Sequence, residues 1–236
     1  MLPPRRHEIS RLEAFSDAAF AFALTLLVVS LDVPRSYDQL IQLMKGFFSF
    51  ACCFALLVWI WHEHNVFFRR SGLQDSLTVF LNGVLLFLVL FYVYPLKFMF
   101  DSMFAMFISG AYPDLQGMTL AQLSRASAIY GLGFVAMFLM FALLYGHAYR
   151  KRAELQLTPL EVFDLKAFAG HHLVSVGVGV IAFLVAVAAP LRYVPLSPAC
   201  FALMGPAHWY FGSRMEKRRG SLVAREEEPA NASAQA

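Results

Sequence analysis

After Ser10 the chain reads Arg11-Leu-Glu-Ala-Phe15-Ser16-Asp17 and then sixteen residues of which only Thr25, Ser30 and Asp32 are polar, as far as Pro34. About 20 apolar residues in a helix cross the roughly 30 Å hydrocarbon layer of a bilayer, so this run predicts a membrane span over about 13–33. Similar runs at about 40–62, 76–97, 127–148, 170–190 and 193–213 bring the predicted spans to six. The sixth holds Pro195, Pro198 and Pro206. It should be kinked or partly interfacial unless neighbouring helices satisfy the carbonyls that proline frees.

Helix starts are marked as well. Ser10 with Glu13 fits a capping box, and Thr158-Pro159-Leu160-Glu161 adds proline at the first helical position, so the fifth span should begin well before its apolar part. The stretch 98–126 mixes Phe98, Met99, Phe100, Met103, Phe104 and Met106 with Gly110, Pro113 and Gly117, which suits a loop at the membrane interface. Beyond Gly220, Glu226 to Glu228 and the residues after them have no apolar periodicity, which predicts disorder. The chain thus divides into a basic arm over 1–12, a transmembrane domain over 13–215 and a disordered tail over 216–236.

Composition agrees with the pattern. Of the 236 residues, 59% are hydrophobic and only 15% charged, with 24 Phe, well outside soluble globular composition. The chain reads as an integral membrane protein. Its basic residues set the orientation: Arg5, Arg6, Arg11, Arg69, Arg70, Arg150, Lys151, Arg152, Lys166, Arg214, Lys217, Arg218, Arg219 and Arg225 share one side, against Arg35, Lys97, Arg125 and Arg192 on the other, with Lys45 near the outer end of the second span. Both termini are then cytoplasmic by the positive-inside rule. These charges are dispersed and carry no nucleic-acid motif, so they read as anchors and lipid headgroup contacts. Arg5 and Arg6 before an apolar run resemble a signal peptide, but Asp17 interrupts that run and Ser-Leu-Asp-Val-Pro offers no small-residue cleavage site. Cys52, Cys53 and Cys200 fall within spans, with no disulfide or zinc spacing.

Asp17 is the costly placement. A charge in hydrocarbon costs roughly 2.5–3.5 kcal/mol on insertion scales, and such residues face protein or water, where they mark ion pathways or hold helices together. At about 100° per residue, Phe15, Ala18, Phe22, Thr25, Leu26 and Val29 form one stripe of the first helix and Asp17 lies far round from it. The carboxylate therefore suits an anchor to His64, Trp61 or Asn82 better than an ion ligand. An apolar stripe on a membrane helix also serves for lipid contact or packing, and Thr25 and Ser30 can bond their own helix carbonyls.

Arg11-x-x-x-Phe15-Ser16-Asp17 followed by Ala-Phe-Ala-Phe-Ala-Leu-Thr25-Leu-Leu closely resembles the signature of the transmembrane protein 175 family, lysosomal potassium channels in animals with shorter prokaryotic relatives. Trp61-x-x-His64 with Phe68, then Leu81-Asn82 and Pro95, follow in the order that family shows. The motifs cover about residues 5–97. The resemblance implies one six-helix unit per chain, a homotetramer in a bacterial plasma membrane, and a potassium-permeable pore lined by four copies of the first helix. It also implies that Arg11, Phe15, Ser16, Asp17, Trp61, His64 and Asn82 form a packing network. The family's constriction is a bulky aliphatic residue five positions after the motif aspartate, which here is Phe22. That departure leaves two options: Phe22 seals the pore, or the constriction moves to Leu26 or Val29. A ring of Thr25 hydroxyls beside it would replace part of the hydration shell of potassium. Asp32, near the outer mouth, would draw cations in or simply end the helix in solvent.

Other classes fit less well. His7, His62, His64, His147, His171, His172 and His208 lack the repeated boxes of a di-iron membrane enzyme, and helical neighbours such as His171 and His172 do not share a face. No nucleophile triad or phosphate loop occurs, and nothing asks for a cofactor. Gly177 and Gly179 with Ser175 suit a close helix contact. Trp59, Trp61 and Trp209 suit the aromatic belt. The expected fold is all-α with six transmembrane helices, and the expected function is passive, potassium-selective flux through a homotetramer, without enzymatic activity. The alternatives are a secondary transporter or proton-coupled carrier using Asp17, and an assembly factor with no flux.

Overall fold

The computed structural model describes residues 9–109, 119–194 and 196–234. Its helices are α1 (Arg11–Val29), α2 (Tyr37–Lys45), α3 (Phe47–Ser71), α4 (Ser76–Ser109), α5 (Leu120–Arg150), α6 (Pro159–Ala188), α7 (Leu196–Ala199) and α8 (Met204–Ala234). Single 3₁₀ turns at Leu191–Tyr193 and Cys200–Leu203 flank α7. There is no strand among the described residues.

The caps explain where the long helices begin. Ser10 Oγ accepts from the Glu13 amide at 3.2 Å while Glu13 Oε2 accepts from the Ser10 amide at 2.8 Å, and Thr158 with Glu161 repeats the arrangement at the start of α6. Thr119 with Gln122 forms a third box, which starts α5 seven residues earlier than the hydropathy pattern alone places it. α3 ends at Gly72, whose φ of 62° admits glycine without strain and whose amide bonds the Phe68 carbonyl.

Among the described residues five helices are long and apolar enough to cross a membrane: α1, α3, the Ser76–Phe104 part of α4, α5 and α6. The region expected to form a sixth span is instead broken. Pro198 supplies no amide donor here, and the described residues form two 3₁₀ turns and the four-residue α7 before α8 begins. α8 continues through Ala234, where an unstructured tail from 216 was expected; alanine and glutamate are both good helix formers. α4 runs through Pro95 rather than closing there, so residues 98–109 are helical and not loop; Gly110, Pro113 and Gly117 lie outside the described residues. The second span begins at Phe47, after a separate α2 that ends on Lys45, and continues to Ser71. Trp59, Trp61, His62 and His64 therefore sit within the helix rather than at its end.

The most extensive helix contact joins α5 to α6. A Cβ on Gly131 would meet the Phe183 backbone at 3.1 Å, and one on Gly179 would meet Phe134 and Val135 side-chain atoms at 2.8 Å. Small residues bring these helices together, as is usual in membranes. Gly177 takes no part, since a Cβ there meets nothing within 4 Å. At the end of the bundle holding Gly72, His147 Nε2 lies 2.9 Å from Asp75 Oδ2 and Lys151 Nζ 3.3 Å from it. Arg219 Nε lies 2.9 Å from Asp164 Oδ1 and ties α8 to the start of α6.

Candidate functional site

α1 has two unlike faces. Ser16, Phe20, Ala23 and Leu27 are buried at i, i+4, i+7 and i+11, one stripe of a 3.6-residue helix. Phe15, Phe22 and Val29, which lie on the other side, are 66%, 56% and 70% exposed, and Ala18 and Thr25 between them are exposed too. Leu26 falls on the border: it is half-buried and packs on the core. Thr25 Oγ1 donates to the Ala21 carbonyl at 2.9 Å and Ser30 Oγ to the Leu27 carbonyl at 2.7 Å, so both hydroxyls keep an acceptor lone pair free.

The buried face is held by a one-way hydrogen-bond chain. His64 Nε2 and Asn82 Oδ1 are 2.8 Å apart, Asn82 Nδ2 donates to Ser16 Oγ at 2.9 Å, and Ser16 Oγ donates to the Leu12 carbonyl at 2.8 Å. With the amide oriented this way, His64 carries its proton on Nε2. The chain joins α3, α4 and α1, and its three side chains are almost wholly buried, so each polar group needs the partner it has. Phe20 packs edge-on against the His64 ring and Phe68 covers it at 4.7 Å. Phe20 escaped the sequence reading, although its place one turn after Ser16 puts it on the same face.

Asp17 is tied separately. Trp61 Nε1 donates to Asp17 Oδ1 at 2.7 Å, a charge-assisted bond from α3 to α1. Arg11 and Phe15 are exposed on the first turns, outside both hydrogen-bonded sets. At the other end of α1, Lys97 Nζ donates to the Ser30 carbonyl at 3.1 Å. A cation there complements the negative end of the helix. Charge counting alone places Lys97 in an outer loop, because the register of α4 against α1 is not visible from hydropathy. Asp32 is exposed and borders an open cleft of about 840 Å³ with Arg35, Lys97 and Asp101.

The histidines do not converge. His171 and His208 stack with Nδ1 atoms 3.0 Å apart, His172 stacks on Phe141, and His147 pairs with Asp75. Among the described residues no three His, Cys, Asp or Glu side chains gather to hold a metal. His7 lies outside the described residues. Cys52, Cys53 and Cys200 are free thiols.

Membrane-length apolar helices, packed through glycine contacts and crossed by a buried polar chain, define an all-α integral membrane protein. Its kinship is specific. The model of the endosomal/lysosomal potassium channel TMEM175 family matches residues 11–92. A potassium channel of Marivirga tractuosa is 36% identical over 233 residues, spanning 93% of this chain and 92% of that protein. A potassium channel of Chamaesiphon minutus is 29% identical over 153 residues, 61% of this chain and 68% of that one. Among solved structures, a variant of the potassium channel MtTMEM175 bound to a nanobody fusion protein superposes with a TM-score of 0.79 at 35% identity, covering 91% of this chain and 96% of that chain. A lysosomal potassium-selective channel TMEM175 homolog from Chamaesiphon minutus gives 0.58 at 27% identity, covering 87% and 96%. The chain belongs to the TMEM175 potassium channel family.

Proposed function

We propose that this protein is a potassium channel, passing the ion passively through a central pore lined by α1 in a homotetramer. One observation carries the reading: α1 ties its buried face to α3 and α4 by the Ser16–Asn82–His64 chain while its Phe15, Phe22, Thr25 and Val29 face is left bare along the whole helix. A single chain supplies one such face, and closed rotational symmetry turns one face into a ring. In that ring the side chains of Phe22, with Leu26 and Val29 beyond, form an apolar constriction that gates by excluding water. The free lone pairs of Thr25 next to it favour a partly dehydrated cation. Ser16, Asp17, Trp61, His64 and Asn82 set the angle of the pore helix, with Arg11 and Phe15 at its exposed first turns.

The stretch from Leu191 through the first turns of α8 serves as the sixth crossing, with Arg214 and Lys217 on the same side as Arg69 and Arg150. Both termini then lie in the cytoplasm of a bacterium. Anionic headgroups and lipid chains surround the assembly. The carrier alternative needs Asp17 to titrate in the transport path, whereas the bond from the Trp61 indole holds that carboxylate against α3.

The deciding experiment is potassium flux from liposomes containing the purified protein, with the subunit count taken on the same preparation. Passive flux whose reversal potential follows the potassium gradient, from a tetramer, supports the channel. Saturable exchange coupled to protons supports the carrier, and no flux at all removes both.

A further inference from the structure

A cavity of about 430 Å³ lies between α3, α4, α5 and the broken stretch that leads into α8, open on one side and used by none of the contacts above. Its volume lies within the roughly 300–1,000 Å³ of sites that hold a small molecule. On α4 its wall is Tyr92, Leu96, Met99 and Met103, a stripe about 16 Å long at 1.5 Å per residue. The space is therefore drawn out along the helix, in the direction the spans cross the bilayer. Trp59 on α3 lines it too, and Met204 and Gly205 of α8 form part of the opposite wall.

Nothing in these walls solicits water or a polar group. The Tyr92 hydroxyl is committed to the Tyr130 carbonyl, and His208 has one ring nitrogen on His171 and the other on Ser175. The Tyr130 hydroxyl is buried without a partner but is covered on every side, so it presents no donor to an occupant. A water would need two to four polar partners here and finds none, so the cavity is dry. An empty space of this size forfeits dispersion contacts around its whole lining. The surrounding medium is hydrocarbon, the walls are apolar, and methionines adapt readily to an irregular occupant.

We propose that the cavity binds one acyl chain of a membrane phospholipid, lying lengthwise along α4 and bracing the start of α8 beside the short α7 that holds Pro198. This inference rests on membrane embedding and the cavity alone and does not depend on where the pore runs. Pro198 and Phe201 of the broken stretch and Met204 and Gly205 of α8 line the cavity, so the lipid chain packs directly against them.

The test uses the full chain in vesicles of dioleoylphosphatidylcholine in which a rising fraction of the lipid carries dibrominated chains, which quench tryptophan on contact. The Trp59 signal is obtained by difference from Trp59→Phe. In the wild-type protein it should be strongly quenched, and brominated lipid should stay with the protein through detergent extraction at about one molecule per chain by mass spectrometry. Gly205→Leu introduces bulk where a Cβ meets nothing within 4 Å, so it should fill the space without a clash. It should reduce Trp59 quenching at least twofold and abolish lipid retention; Met204→Phe, which narrows the same space, should act in the same direction. Equal quenching in wild type and both variants would mean that Trp59 meets only the surrounding bilayer. Absence of quenching in the wild type would mean that protein occupies the cavity. Either result overturns the proposal.

Discussion

Asn82 on α4 donates to Ser16 on α1 at 2.9 Å while its carbonyl oxygen meets His64 on α3, so one amide joins three helices at a place where no water competes. Asn82→Ala removes both bonds, leaving the buried His64 imidazole without its partner and the Ser16 hydroxyl with only the Leu12 carbonyl. An orphaned buried group costs about 1–3 kcal/mol, and the substitution should lower the thermal midpoint of the detergent-solubilised protein by several degrees. Ser16→Ala should cost less, because Asn82 keeps His64. An Asn82→Ala protein as stable as wild type would show that the chain does not hold the helices.

Phe22 tests the gate. Its ring is more than half exposed on the bare face of α1, so in a pore it narrows the path, and Phe22→Ala should raise potassium flux in liposomes by widening an apolar constriction. Phe20→Ala, one helix face away and packed against His64, should instead reduce stability. If flux is the same with alanine or phenylalanine at position 22, the constriction lies elsewhere, and Leu26 and Val29 are the next positions to vary.

Much of this site could be read from the chain because it is local. The capping boxes at Ser10 and Thr158 are each four residues long, and the two faces of α1 follow from a 3.6-residue period. The Trp61 to Asp17 bond was among the anchors that angle pointed to, since Asp17 lies far round the helix from Phe22. What escaped depends on register between helices distant in sequence. The Lys97 to Ser30 bond spans 67 residues, and Phe20 matters only because α3 brings His64 beside it. The extent of α3 was hidden because His62, Glu63 and His64 resemble the end of an apolar run, whereas Phe67 and Phe68 beyond them are buried. The break before α8 was marked by its prolines, but sequence alone does not tell a kink from a full interruption.

Asp17→Asn keeps the shape of the side chain but weakens the bond from the Trp61 indole by removing the charge. Since the carboxylate points away from the bare face, the substitution should reduce yield and oligomer recovery in size-exclusion chromatography more than it changes the potassium to sodium preference. In a double-mutant cycle of Asp17→Ala with Trp61→Phe, the coupling should be near the average of about 0.6 kcal/mol, and below the maximum of about 1.7 kcal/mol, found for hydrogen bonds inside membrane proteins. A normally assembled Asp17→Asn protein with altered ion preference would place the carboxylate in the ion path after all.

Asp75 predicts a pH profile. Partial burial alone would raise its carboxyl, but the Thr78 amide, His147 and Lys151 outweigh that and hold it well below the ordinary carboxylate range. A depressed folded value means that the stabilisation is complete above the unfolded value of about 3.9 and is lost as pH falls below it. Lys151 is shifted upward by its bonds to Glu154 and Asp75. Its share is present below the ordinary lysine value of about 10.4 and fades as pH rises through it. Thermal midpoints should therefore be flat across neutral pH and fall at both extremes, and Asp75→Asn should flatten the acid limb. An acid limb unchanged in Asp75→Asn would assign it to other carboxylates.

Two glycines a turn fraction apart on α6 should behave oppositely. Gly179 faces α5 so closely that a methyl group would sit 2.8 Å from Phe134 and Val135 side-chain atoms, while at Gly177 the same methyl meets nothing within 4 Å. Gly179→Ala must push α5 and α6 apart or force those side chains aside, an overpacking cost of about 1–3 kcal/mol. Gly177→Ala adds no clash and removes some backbone freedom from the unfolded chain, a gain of about 0.4–1 kcal/mol. Thermal unfolding of the two variants side by side gives the sign directly. Equal midpoints would mean that the α5–α6 contact is looser than the approach of Gly179 to Phe134 implies.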